Sequence, residues 1–116
     1  MKKTRICILL FTIILLTAWK SIPEGFTEEE YDSSQKAVEI IDEFIKDDLD
    51  AEAAIDNLSE LGDSLISSDN EKPALVGVYC IQAARYIELY SQNGDSTYED
   101  TIKDFKNKIS EQTYTD

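Results

Sequence analysis

The stretch Ala74-Leu75-Val76-Gly77-Val78-Tyr79-Cys80-Ile81-Gln82-Ala83-Ala84-Arg85-Tyr86-Ile87-Glu88-Leu89-Tyr90 decides the fold. Its apolar side chains are spread nearly all the way round a 3.6-residue turn, and a helix of that kind belongs where neighbours touch it on several sides. A strand over Val76 to Ile81 is the competing reading, because β-branched and aromatic residues cluster there. The length of the run and its continuation through Gln82-Ala83-Ala84-Arg85 favour the helix. Just upstream, Ser67-Ser68-Asp69-Asn70 is turn chemistry, and Pro73 is tolerated in a first helical turn, where its missing amide would have had no partner. Downstream, Asn93-Gly94 supplies a left-handed stop.

Working outward, Ala54, Ile55, Leu58, Leu61, Leu65 and Ile66 form a second helical stripe over about 51–67. Asp50 is placed to cap it, and Gly62 lies on the apolar face where it would let another helix approach closely. Before it, Thr27-Glu28-Glu29-Glu30 has the form of a capping box, with Phe26 and Tyr31 at the positions of a hydrophobic staple. Ala37, Val38, Ile41, Phe44 and Ile45 continue that helix over about 27–47. At the other end, Ser96-Thr97-Tyr98-Glu99 is a second capping box, followed by the stripe Tyr98, Ile102, Phe105 and Ile109. Four helices joined by short loops imply an all-α fold, a small antiparallel bundle with the third helix nearest the axis. A three-helix core with the first or fourth helix packed outside is the alternative topology. Residues 27–112 are expected to form the bundle, residues 21–26 a tether, and residues 113–116 a frayed tail.

The first twenty residues are of a different kind. Met1-Lys2-Lys3-Thr4-Arg5 is a short positive region ahead of the apolar run Ile6 to Trp19, and together they resemble a bacterial export signal. At 1.5 Å per residue the run covers about 21 Å, short of the roughly 30 Å hydrocarbon core, which favours a cleaved signal peptide. Ala18 offers the small residue before a cut. An uncleaved membrane anchor is the other reading, with Trp19 and Lys20 suited to a membrane interface. Either way the positive residues hold the amino terminus inside and send the remainder across. The expected location is therefore extracytoplasmic, secreted or tethered to the outer face of the cytoplasmic membrane, with membrane contact only through residues 6–19 if they are retained. With Cys7 inside that run, Cys80 stands alone and no intramolecular disulfide staples the exported part.

Charge excludes several classes of function. The 116 residues carry a net charge of −13, and residues 21–116 hold all 24 acidic residues with seven basic ones, a net of −17. Such a chain repels phosphate backbones, so no nucleic-acid partner is expected. The chain also has no histidine, which removes a His-assisted hydrolase, a His-ligated zinc site and a two-histidine iron site. Asp48-Leu49-Asp50-Ala51-Glu52 has the alternation of a calcium-loop start. Ala53 then stands where the turn glycine belongs and Ser59 where the bidentate glutamate belongs, so the segment reads as a helix end and a helix start. No metal or cofactor is expected. Tyr79, Tyr86 and Tyr90, at i, i+7 and i+11, read as core residues with hydroxyls at the surface rather than as a ligand platform.

The reading that remains is a non-enzymatic binding or interaction module. Its partner is expected to be a protein, of basic character, met on the acidic faces of the first two helices. Glu39, Asp42, Glu43, Asp56 and Glu60 are the candidate contact residues. A membrane-tethered accessory subunit is the alternative, and a cell-wall-acting enzyme using paired carboxylates is a third reading that no nucleophile or pocket signature supports.

Overall fold

In the computed structural model, which describes residues 22–113, the chain enters through a turn at Glu24 and Gly25, closed by the Phe26 amide donating to the Pro23 carbonyl at 3.3 Å. The signal or anchor assigned to residues 1–20 and the last three residues of the expected tail lie outside this range. Phe26 is buried and Ile22 packs on the core, so the segment read as a tether is seated on the bundle from Ile22 to Phe26.

Helix α1 spans Glu28–Ile45. Its start is the expected capping box: the Glu30 amide donates to Thr27 Oγ1 at 3.1 Å, and the Thr27 amide donates to Glu30 Oε1 at 2.9 Å. Ser34, Ala37, Ile40 and Ile41 are buried, so the core stripe includes Ile40, a position outside the sequence-derived one. The helix ends by a Schellman pattern, in which the Asp47 amide donates to the Phe44 carbonyl and the Asp48 amide to the Glu43 carbonyl. This pattern places Asp47 in the left-handed region at φ 62°.

Helix α2 spans Ala51–Ile66, and Asp50 caps it by accepting from the Ala53 amide at 2.8 Å. The acidic alternation at residues 48–52 is thus a helix boundary. Helix α3 spans Glu71–Asn93 without interruption, which resolves the strand alternative, and Pro73 sits buried in its first turn. Gly94 ends it at φ 66°, its amide donating to the Tyr90 carbonyl at 2.7 Å. Helix α4 spans Ser96–Thr113. Its first turn is held by Asp95 rather than by Ser96, since the Thr97 amide donates to Asp95 Oδ1 at 2.9 Å. A carboxylate in that place also meets the positive end of the helix, an advantage a serine hydroxyl lacks. At the far end Thr113 is buried, and its hydroxyl accepts from Gln35 Nε2 at 3.2 Å, so the helix is secured one residue beyond the expected boundary at 112.

Helix α4 runs antiparallel to α1 and to α3, and α2 runs antiparallel to α3, with Gly62 beside Ile81 and Ile66 beside Gly77. Gln35 and Asp42 of α1 meet Thr113 and Lys106 of α4 in reverse order, and Tyr79 and Tyr86 of α3 meet Phe105 and Tyr98 of α4 in the same manner. Helices α1 and α3 each approach all three others, while α2 and α4 face one another across the bundle without close backbone approach. The first helix is therefore a full member of the core. The closest pairing is α2 with α3, where Gly62 and Gly77 lie against each other. Val76, Cys80, Ala83, Ala84 and Ile87 of α3 are buried. Three neighbours do not enclose it, however: Val78 remains 40 % exposed, and Leu75, Ile81 and Leu89 are half-buried. No helix among the described residues is long and apolar enough to cross a membrane.

Candidate functional site

The acidic residues expected to form a contact surface are distributed over three settings. Asp42 is turned toward α4: its carboxylate receives Lys46 Nζ at 2.8 Å and Lys106 Nζ at 3.3 Å. These two lysines, by direct hydrogen bonding and by charge, hold the Asp42 carboxyl below its ordinary range, and Asp42 in turn raises Lys46. Glu39 is exposed one turn before Glu43, which is half-buried, and neither is ion-paired among the described residues. Glu60 lines the groove between α1 and α2 beside Lys36, Ile40 and Asn57. Asp56 is exposed on α2, one turn before Glu60. The fold thus gathers Glu39 with Glu43 on one helix and Asp56 with Glu60 on another, while Asp42 is engaged in an inter-helix ion pair.

A second acidic feature belongs to the architecture. Glu30, already part of the α1 cap, also accepts from the Ser68 hydroxyl in the α2–α3 loop. That hydroxyl, and then the Thr27 amide, hold the Glu30 carboxyl below its ordinary range. The carboxylate therefore ties the start of α1 to the turn between α2 and α3. Around it lies a small recess lined by Glu29, Ser33, Ser64, Ser67 and Ser68.

The tyrosines pack between helices. Tyr79 and Tyr86 lie 6.1 and 5.7 Å from the Phe105 ring, Tyr86 also meets Tyr98, and Tyr90 meets Phe44 edge-on at 6.2 Å. Lys108 covers the outer side of this cluster, 5.3 Å from the Phe105 centroid. Cys80 is fully enclosed in the core, and burial pushes its thiol up to about 12. A thiol that stays protonated at physiological pH is a poor nucleophile. Among the described residues, no group of three or more Asp, Glu or Cys side chains is disposed to hold a metal ion.

One feature escaped the sequence reading. Between α2 and α3 runs an open groove of about 410 Å³ with Ile55, Ile81, Ala84 and Leu89 among its lining and Ser59, Arg85 and Glu88 at its margins. Its signal lay in α3 itself, which carries apolar residues on more sides than three neighbouring helices can cover. Set against known proteins, the chain matches no family model, no curated protein and no solved structure.

Proposed function

We propose that this chain is an exported, acidic helical protein that acts as a non-enzymatic binding module at or outside the cell membrane, with a cationic protein as its partner. The observation that carries this reading is the uncompensated charge. Only Lys46, Lys103 and Lys106 form ion pairs among the described residues, and two of these pairs share Asp42. Most carboxylates therefore face solvent without a counter-charge, and their summed field attracts and orients cationic proteins while repelling anionic lipid and polymer surfaces. The basic, apolar opening of the sequence supports passage across the membrane.

Two measurements test the proposal. The intact mass of the protein in membrane and medium fractions distinguishes a released species beginning near Trp19 from a full-length tethered one; export predicts one or the other, and a full-length cytosolic species contradicts it. Cross-linked capture from the producing cell's envelope is expected to recover a stoichiometric basic protein whose yield falls as salt rises. Repeated absence of a stoichiometric partner at low salt overturns the binding role.

A further inference from the structure

We infer that the open face along α2 and α3 is a helix-in-groove site for a short amphipathic helix of the partner, with its cationic flank lying over α2. This inference rests on the binding role proposed above and specifies where and how it is exercised.

The first observation is an apolar strip along the two helices. Ile55 and Ser59 line one bank of the groove, and Ile66, seven residues beyond Ser59, lies on the same face of α2. On the opposite bank, Val78 stands three residues before Ile81 and shares its face of α3. Ile66 at 44 % and Val78 at 40 % are the large exposed hydrophobics of the described residues; they lie outside the groove's own lining, beyond the Gly62–Gly77 contact, on the helix faces that carry Ser59 and Ile81. Their convergence here is unlike singly scattered surface hydrophobics, and such a strip marks an interaction site. From Val78 to Leu89 the strip extends about 16 Å, room for about three turns of a bound helix presenting residues at i, i+4, i+7 and i+11.

The second observation is the charge of the two margins. Glu52, Asp56 and Asp63 are exposed along the outer edge of the α2 bank, at spacings that keep them on one side of the helix, and none is ion-paired among the described residues. The α3 margin carries Arg85 and Glu88, whose charges offset one another, with the neutral Gln82 on the same helix, so the uncompensated charge lies on the α2 side. The complementary occupant has an apolar stripe and Lys or Arg on the flank above α2, with no net charge called for over the α3 margin. A second copy of this chain would bring its own acidic α2 margin against this one, and an anionic lipid surface would be repelled by it.

The test uses the full chain and a synthetic helical peptide of about fifteen residues, with Leu at i, i+4, i+7 and i+11 and Lys along one flank, titrated at low salt. Binding at one peptide per chain is expected. Val78→Asp is expected to weaken it about tenfold, although the substitution adds a negative charge, because a buried Val contact is lost. The pair Glu52→Lys and Asp56→Lys is expected to weaken it to a similar degree, whereas Asp100→Lys with Asp104→Lys on α4 leaves it within about twofold; circular dichroism confirms that each variant is folded. Equal or tighter binding by Val78→Asp would overturn the groove while leaving a diffuse acidic binder intact. Equal binding of a Glu-flanked peptide would overturn the assigned charge, and self-association abolished by Val78→Asp would make the occupant a second copy. If no cationic peptide binds at low salt and envelope capture is also empty, the wider binding role fails with it.

Discussion

Gly62 and Gly77 bring the backbones of α2 and α3 together: a Cβ built on Gly77 would stand 2.6 Å from the Ile66 backbone nitrogen and 2.8 Å from the Gly62 carbonyl oxygen. A Cβ on Gly62 would in turn stand 2.9 Å from the Gly77 carbonyl oxygen and 2.8 Å from Ile81 Cδ1. In an exposed helix interior, replacing Gly by Ala stabilises by about 1 kcal/mol. Here the sign reverses, because backbone atoms must be displaced. Gly77→Ala is expected to destabilise by about 2 kcal/mol and Gly62→Ala by less, since one of its obstacles is the end of a movable side chain. Urea denaturation of both variants checks the order. A gain in stability by Gly77→Ala would show that α2 and α3 separate freely.

Much of this architecture was readable from local chemistry. The Thr27 capping box, the Asp50 cap and the Gly94 stop each depend on a few adjacent residues, and each appears where its sequence pattern puts it. Gly62 was readable as a point of close approach, but its counterpart was not: Gly77 lies in another helix, and pairing depends on tertiary register that periodicity does not carry. The same limit hid Asp95, whose preference over Ser96 is a competition between adjacent caps, and Ile40, which borders the α1 stripe and is buried only because α2 flanks it. Of the expected contact residues, exposure on a helix face was legible for Glu39 and Asp56. The engagement of Asp42 by Lys106 was not, because the two are separated by 64 residues of chain.

Asp47 offers a stabilising substitution. It occupies the left-handed position of a Schellman motif, where a side chain costs about 1 kcal/mol that glycine does not incur. Its carboxylate also sits beside the negative end of α1, whose last turn contains no basic residue at all. Asp47→Gly relieves both penalties and is expected to stabilise by about 1 kcal/mol. Asp47→Ala removes only the charge and is expected to gain less. A lower melting temperature for Asp47→Gly than for the parent would contradict this account of the turn.

Cys80 should report on unfolding. With no exposure in the native state and a thiol pushed up to about 12, it offers a reagent neither access nor thiolate. Thiol labelling located to Cys80 by peptide mass is therefore expected to be negligible in native conditions and to rise along the urea unfolding curve. Rapid native labelling at mildly alkaline pH would mean that the α3 core opens locally.

Acid sensitivity should be traceable to one hydroxyl. Glu30 is held below its ordinary value of 4.5 by Ser68 and by the Thr27 amide, so in the folded state it releases its proton more readily than in the unfolded chain. The unfolded state then binds more protons, and stability rises with pH in this range. The contribution is fully present above 4.5 and is lost as pH falls through the depressed folded value. Asp42 behaves likewise relative to its ordinary value of 3.8, through Lys46 and Lys106. Acidification simultaneously relieves the repulsion among the surplus carboxylates, which acts in the opposite direction, so the parent curve alone does not isolate either effect. Ser68→Ala does isolate one of them. It deletes the leading cause of the Glu30 shift while leaving the net charge and Asp42 unchanged. The variant is expected to be less stable than the parent at pH 7 and to converge toward it as pH falls below 4.5, as read from urea midpoints across that range. A stability difference that stayed constant with pH would assign Ser68 a role in the loop alone and remove the latch between α1 and the α2–α3 turn.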